Sequence, residues 1–327
     1  MLRQKAEDSA AREERIAEME RELGDASSLR RTMEKGTAVW AVIAGVGEMD
    51  TPGGTMVYAI AFGEETGTRV RFLIPYEEMF TRNLMDMSTV DTTTEKGRAA
   101  YSFRKRQMLQ KMLGLRVPVC VTNISDGGEG ASGNMYIASR RLACEKQRKA
   151  AVRNGRPKEG ERCTATVISV SPHSLALNYE GFETAVQQSR LTERYLPNLT
   201  VRYRPGDTID FVAENVKTED GSLSFDFNTR RAELEDALAR QETIRLRTVA
   251  RGTITRIYTE NGNLNIFAWL PDWEMPAKIP GMEPSSFGRP PRSGDDVLLT
   301  VTGFLPSGYL RARISSLTGN SAMFTHR

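Results

Sequence analysis

The sequence has only two histidines, His173 and His326, and three cysteines, Cys120, Cys144 and Cys163. An odd number of cysteines with no C-x-x-C or other metal or redox spacing implies free thiols in a reducing compartment. His173 sits in a Ser-Pro-His-Ser turn and His326 near the C-terminus, neither beside a nucleophile or a metal ligand in sequence. H-E-x-x-H, Walker and G-x-S-x-G motifs are missing, so the common metalloprotease, nucleotide-hydrolase and esterase sites have no carrier. Acidic pairs such as Glu77-Glu78 and Asp295-Asp296 fall at helix starts or turns, where carboxylates favour the helix N-terminus or solvate a loop. Nothing spaces them for two metals. The expectation is a protein without enzymatic activity, cofactor or metal.

Long apolar runs are also missing. No stretch approaches the roughly 18–20 residues of a membrane span. The start MLRQKAEDSAAREER lacks the apolar core of a signal peptide. A cytoplasmic location, with no membrane partner, is expected. Charge of one sign is scarce too: the formal net charge is +3 over 327 residues, so an anionic partner has to be met by local clustering. Hydrophobic residues make up 39% and charged residues 27%, which fits a globular chain of two or three domains.

What is present is strand pattern. Residues 2–34 read as a charged helix with a thin stripe of Ile16, Met19 and Leu23, suited either to lying on the next domain or to docking a partner. After Gly36 the chain turns β-rich. Strands are expected over 37–46, 55–62 and 69–74, then a helix over 98–113, then strands over 116–125 and 134–141. The order returns with strands at 162–170, 174–179, 183–187, 208–216 and 222–228, the polar piece 191–204 standing where the helix was. It returns again with strands at 250–258, 264–270, 273–279, 296–304 and 309–315. There the Pro- and Gly-rich stretch 280–293 replaces the helix. Gly206-Asp207 and Gly294-Asp295 punctuate the fourth strand of the last two units, where glycine supplies a tight turn. Three strands, a connecting segment and two strands is the order of the OB (oligonucleotide/oligosaccharide-binding) barrel. The expected fold is mostly β: three tandem five-stranded OB barrels behind an N-terminal charged helix, with helical linkers. The divisions are the helix at 1–35, a first barrel with a basic helix at 36–143, a basic linker at 144–158, a second barrel at 159–229, a helical linker at 230–246, a third barrel at 247–317 and a flexible end at 318–327.

The segments KEGERCTATVISVSPHSLALNYEGFETAVQQSRLT, YRPGDTIDFVAENV and SLSFDF resemble the ribosomal protein S-one family of OB domains. FLIPYEEMF in the first unit, and RGTITRIY with RSGDDVLLTV in the third, are more distant echoes, so the resemblance covers roughly residues 36–316. It implies contacts with RNA. RNA-binding members carry aromatics on strands two and three; the second unit offers only Tyr179 there and resembles a structural copy.

Binding a single strand needs a basic track for phosphates and rings on which bases stack. The track is expected from Arg98, Arg104, Lys105, Arg106 and Lys111, continued by Arg140, Arg141, Arg148 and Lys149. Tyr101 and Phe103 interleave with it but read as helix core, packing beside Met108, Leu109 and Met112. The rings expected to stack are Tyr58 and Phe72 in the first unit and Phe267 and Trp269 in the third, with Arg311 and Arg313 near Trp269. Trp269 is the better exposed candidate by strand alternation. The run Gly128-x-Gly130-x-x-Gly133 matches a dinucleotide fingerprint literally, but a strand follows it where that motif needs a helix. Two functions follow: a non-enzymatic binder of single-stranded RNA or DNA, or an assembly protein whose barrels are rigid protein-binding modules and whose helix 2–34 joins partners or copies, of phage or mobile-element origin.

Overall fold

Alternation of side chains sets the strands. In β2 (Gly54–Gly63) Val57, Ala59 and Ala61 turn inward and are buried, while Met56, Tyr58, Ile60 and Phe62 face outward. The structure is a computed structural model, and it describes residues 27–51, 54–63, 70–81, 92–125, 135–219, 222–282 and 289–320. The helix expected over 2–26, the glycine-rich run 127–133, the stretch 283–288 and the C-terminal residues 321–327 with His326 lie outside them.

The described chain is mostly β. β1 (Val39–Thr51), β2, β3 (Arg71–Pro75), β4 (Arg116–Ser125) and β5 (Met135–Ser139) close a barrel in the order β1-β2-β3-β5-β4. β6 (Arg162–Ser171), β7 (Ser174–Tyr179), β8 (Phe182–Gln187), β9 (Thr208–Glu219) and β10 (Ser222–Asn228) keep the same neighbours as a sheet open between β8 and β10. Rings fill that seam, with Phe182 and Phe225 at 5.0 Å and Phe225 and Phe227 at 4.9 Å between centroids. β11 (Val249–Glu260), β12 (Asn263–Leu270), β13 (Met275–Met282), β14 (Asp295–Phe304) and β15 (Leu310–Asn320) close a barrel in the order of the first. The closing pairs β3/β5 and β13/β15 run parallel and the other pairs antiparallel. This is the OB topology.

One hydrogen bond recurs in all three units. The first strand bulges after Ile43, Val167 and Ile254. The carbonyl at each bulge accepts the N–H of a glycine before the fourth strand: Gly114 to Ile43 at 2.8 Å, Gly206 to Val167 at 2.9 Å and Gly294 to Ile254 at 2.7 Å. All three glycines have positive φ, at 82°, 95° and 92°, where a side chain is strained. The sequence marks this turn in the last two units; Gly114 is its counterpart in the first.

A helix precedes each barrel and places an apolar residue in that barrel's core. Helix α1 (27–35) contributes Leu29, α3 (Arg140–Arg153) contributes Ala151, and α5 (Thr229–Arg240) contributes Ala237. Two expectations change here. Arg140 and Arg141, read as the end of a strand, open α3, because the Ser139 hydroxyl caps it by accepting the Leu142 N–H at 2.9 Å. The basic linker is therefore largely helix. The third strand of the last unit starts at Met275 instead of Trp273 and runs through Pro280 to Met282, since Glu274 takes a turn conformation with φ 50°. In the second unit the barrel helix shrinks to α4 (Gln188–Leu191) and a single 3-10 turn, Leu199–Val201.

The barrels are packed on one another. Arg140 of α3 and Glu183 of β8 form an ion pair with side chains 2% and 0% exposed. Glu183 also accepts the Thr81 N–H and hydroxyl at 2.8 Å each, and Arg140 donates to the Met79 carbonyl at 2.7 Å. Burial alone disfavours the Arg140 charge, but Glu183 outweighs it and holds the pKa above its ordinary value. Between barrels two and three, Glu193 pairs with Arg230 and, at 3.6 Å, with Arg256, while Arg194 reaches Glu274 at 3.4 Å.

Candidate nucleic-acid interface

Helix α2 (Glu95–Gln110) starts at Thr94, whose hydroxyl accepts the Gly97 N–H at 3.1 Å. Met108 and Leu109, with Met112 just beyond, enter the core of barrel one. That stripe fixes the rest of the helix by its 3.6-residue period: Ala99, Phe103 and Arg106 turn away from it, while Arg98 and Ser102 continue its Leu109 edge beyond the packed turns. They line a cleft of about 970 Å³ against the β1–β2 hairpin, whose Glu48, Thr51, Thr55 and Met56 form the other wall. Phe103 is 56% exposed. It was expected in the core and stands in solvent, because it lies five and six residues from Met108 and Leu109, off the buried stripe.

The basic residues divide. Arg98 is exposed and donates to the Thr93 carbonyl at 3.2 Å. Arg106 pairs with Glu48 across the cleft. Lys105 is buried, paired with Glu77, and lies 4.2 Å from the Tyr101 ring and 5.3 Å from Tyr76. Burial, with Tyr101 and Glu77 beside it, pushes the Tyr76 hydroxyl up to about 12, so it stays a neutral donor. Arg104 is half-buried and Lys111 reaches Ser171 of β6 at 3.0 Å. Arg141 bonds Glu78 at 2.8 Å and Glu145 at 3.1 Å. The Glu78 carboxyl is opposed by burial, but the Ser139 hydroxyl and Arg141 hold its pKa below the usual value. Arg148 lies 5.1 Å from the Phe182 ring, and with Lys149, which is exposed, lines a cleft of about 510 Å³ shared with Arg153 and Leu223. Arg140 is inside the molecule, held by Glu183. The expected track is thus split among a cleft, a barrel interface and an exposed helix face.

The rings divide as well. Tyr58 is half-exposed on the outer face of β2, lying flat over Gly47, where an added Cβ would stand 2.6 Å from the ring. Phe72 is 1% exposed and packs edge-on against Tyr136 at 6.2 Å, so it is core and offers no face. Phe267 and Trp269 do point out of their barrel, yet each is only 6% exposed. Arg256 lies 4.1 Å from the Phe267 ring, with Tyr309 at 5.4 Å, and Arg194 of the second unit lies 4.4 Å from Trp269. Alternation gave the direction of Trp269; the neighbouring barrel that covers it is a long-range contact no local pattern contains. Arg311 is exposed and stands beside Lys278, itself beside Phe267, while Arg313 faces Thr300 on the other side. Neither adjoins Trp269.

Among the described residues no group of histidine, cysteine, aspartate and glutamate is arranged to hold a metal. No described helix is long and apolar enough to cross a membrane.

No protein-family model matches the chain, and no curated protein matches it. Similar solved structures include a chain of the a/eIF2alpha–aDim2p–rRNA complex from Pyrococcus horikoshii OT3, 18% identical over 27% of this chain and 60% of that one, with a TM-score of 0.19. The apo form of Mycoplasma genitalium RNase R is 14% identical over 48% of this chain and 22% of that one, with a TM-score of 0.17. The tetrameric p202 HIN2 is 13% identical over 49% of this chain and 93% of that one, with a TM-score of 0.19. Likenesses this low carry no weight for function; the fold rests on strand order and closure.

Proposed function

We propose that the chain is a non-enzymatic binder of single-stranded nucleic acid, RNA before DNA, and that the strand enters the barrel-one cleft between α2 and the β1–β2 hairpin. The observation that carries this reading is Phe103: a large ring 56% exposed in a cleft of about 970 Å³, with Arg106 one turn after it and Arg98, five residues before it, lining the same cleft. A base stacks on Phe103, and Arg98 and Arg106 meet the flanking phosphates once Arg106 leaves Glu48. Barrels two and three act as the body that holds this site, joined through Arg140–Glu183 and through Arg194 over Trp269. The resemblance to the S-one family agrees with a single-stranded RNA ligand, and the reducing environment implied by three free cysteines agrees with a cytoplasmic location.

Fluorescence anisotropy with short homopolymers tests it. Affinity is expected to fall linearly in log–log form with salt, since each neutralised phosphate releases counterions. R98E/R106E is expected to weaken binding to every homopolymer alike. No binding at low salt by the unaltered chain would end the proposal.

A further inference from the structure

Some of the exposed arginines are held by carboxylates. Arg156, Arg162, Arg231 and Arg289 are 39–52% exposed at the side chain, and each has an acidic partner within 3.2 Å. The outer face of β11, β14 and β15 differs. Arg251 on β11, Arg311 and Arg313 on β15, and Arg247 in the turn before β11 are exposed, and among the described residues none has an ion pair. The register sets them in rows. Val249, Thr300 and Arg313 lie side by side across the three strands, and Arg251 lies beside Leu298 in the next row. Between the flanking arginines β14 presents the hydroxyls of Thr300, which meets Ser315 at 2.7 Å, and of Thr302, which donates to the Arg311 carbonyl at 3.2 Å. The acid at an outward position of β14 is Asp296, at the far end, where it accepts the Thr253 hydroxyl at 3.0 Å. Asp295 points inward and is tied to Arg289.

We propose that this face is a second contact for the nucleic-acid strand, one that takes backbone phosphates and leaves the bases unread. It rests on the single-strand reading above but uses a different barrel and different side chains. Arg311 and Arg313 are about 6.6 Å apart along the strand, and β11 and β15 about 10 Å apart across the sheet. Guanidinium forks on both flanks, with the Thr300–Ser315 hydroxyl pair between them, match the acceptors of a phosphate chain. Phe304, 40% exposed at the edge of β14, is the one large exposed ring of β14 and β15 among the described residues, too little for a stacking platform. The chain then has two separated contacts for one strand, which raises its affinity for long strands above that for short ones.

The test uses the full chain and uridine homopolymers of about 6 and about 40 nucleotides, the shorter within the span of one OB barrel. R251E/R311E/R313E is expected to lose at least about tenfold in affinity for the long strand and to lower the slope of log K against log salt by about 2, at roughly 0.7 per phosphate. An adenosine homopolymer of equal length should lose as much, and the short strand should bind as before. Unchanged long-strand affinity and slope would overturn the inference. So would polyglutamate bound as tightly as the long strand, which would make the face a protein-docking surface. R98E/F103A separates the two sites: if it alone abolishes binding, the cleft stands and this face falls. If it binds normally while the triple variant does not, the face stands and the cleft falls. A chain that binds neither strand overturns both.

Discussion

Phe103 and Trp269 are large rings with opposite surroundings. Phe103 stands off the buried stripe of α2 and meets solvent, while Trp269 is roofed by the Arg194 guanidinium at 4.4 Å. Phe103→Ala is therefore expected to leave urea-unfolding stability within about 0.5 kcal/mol and to cost about 1–3 kcal/mol in single-strand affinity. Trp269→Ala is expected to cost about 3–5 kcal/mol of stability. The reverse pattern would put the stacking surface on barrel three. Arg140 is a second case where position decides role. It belongs to a basic run in sequence, yet Glu183 holds it in the interior. Glu183→Gln leaves that guanidinium buried against a neutral amide and is expected to destabilise by about 3–5 kcal/mol in the same assay. A loss below about 1 kcal/mol would mean that the pair opens to water.

Elements were legible where they obey a local period. The strands Arg116–Ser125, Ser174–Tyr179 and Ser222–Asn228 stand where alternation and turn residues place them. Helix α3 was not, because its apolar face is small and its start is set by the Ser139 cap instead of a hydrophobic run. The joints between elements were not legible either, since they depend on backbone close approach. Gly181, in the β7–β8 turn, has φ 82°, and a Cβ there would collide with the Cys144 carbonyl of α3. Gly308 stands likewise against the Leu234 carbonyl of α5. Gly160 has φ 74° but opens on empty space. Gly181→Ala and Gly308→Ala are thus expected to lower the thermal midpoint clearly more than Gly160→Ala, whose cost is backbone strain of about 1–3 kcal/mol. Equal costs for all three would show that the helices do not press on these turns.

At the scale of the whole molecule, the three barrels repeat one plan but do not share one task. The order of strands, the bulge-to-glycine bond and the preceding helix recur in each. The outward faces do not: Glu183 of the second barrel is buried against Arg140 and Trp269 of the third is covered by Arg194, while the cleft of barrel one and the face of β11, β14 and β15 stay open. Composition and pattern were enough for the repeated plan, because each core is built locally. They were not enough for the division of labour, because ion pairs and stacked rings between units join residues tens of positions apart. The most direct measurement is photo-crosslinking of a short 4-thiouridine-containing single strand to the full chain, with the adducts mapped by mass spectrometry. Adducts are expected on the α2 segment holding Tyr101 and Phe103, and their loss in Phe103→Ala. Adducts confined to Phe267 or Trp269, or a cleft left unlabelled by a strand that binds, would contradict the placement.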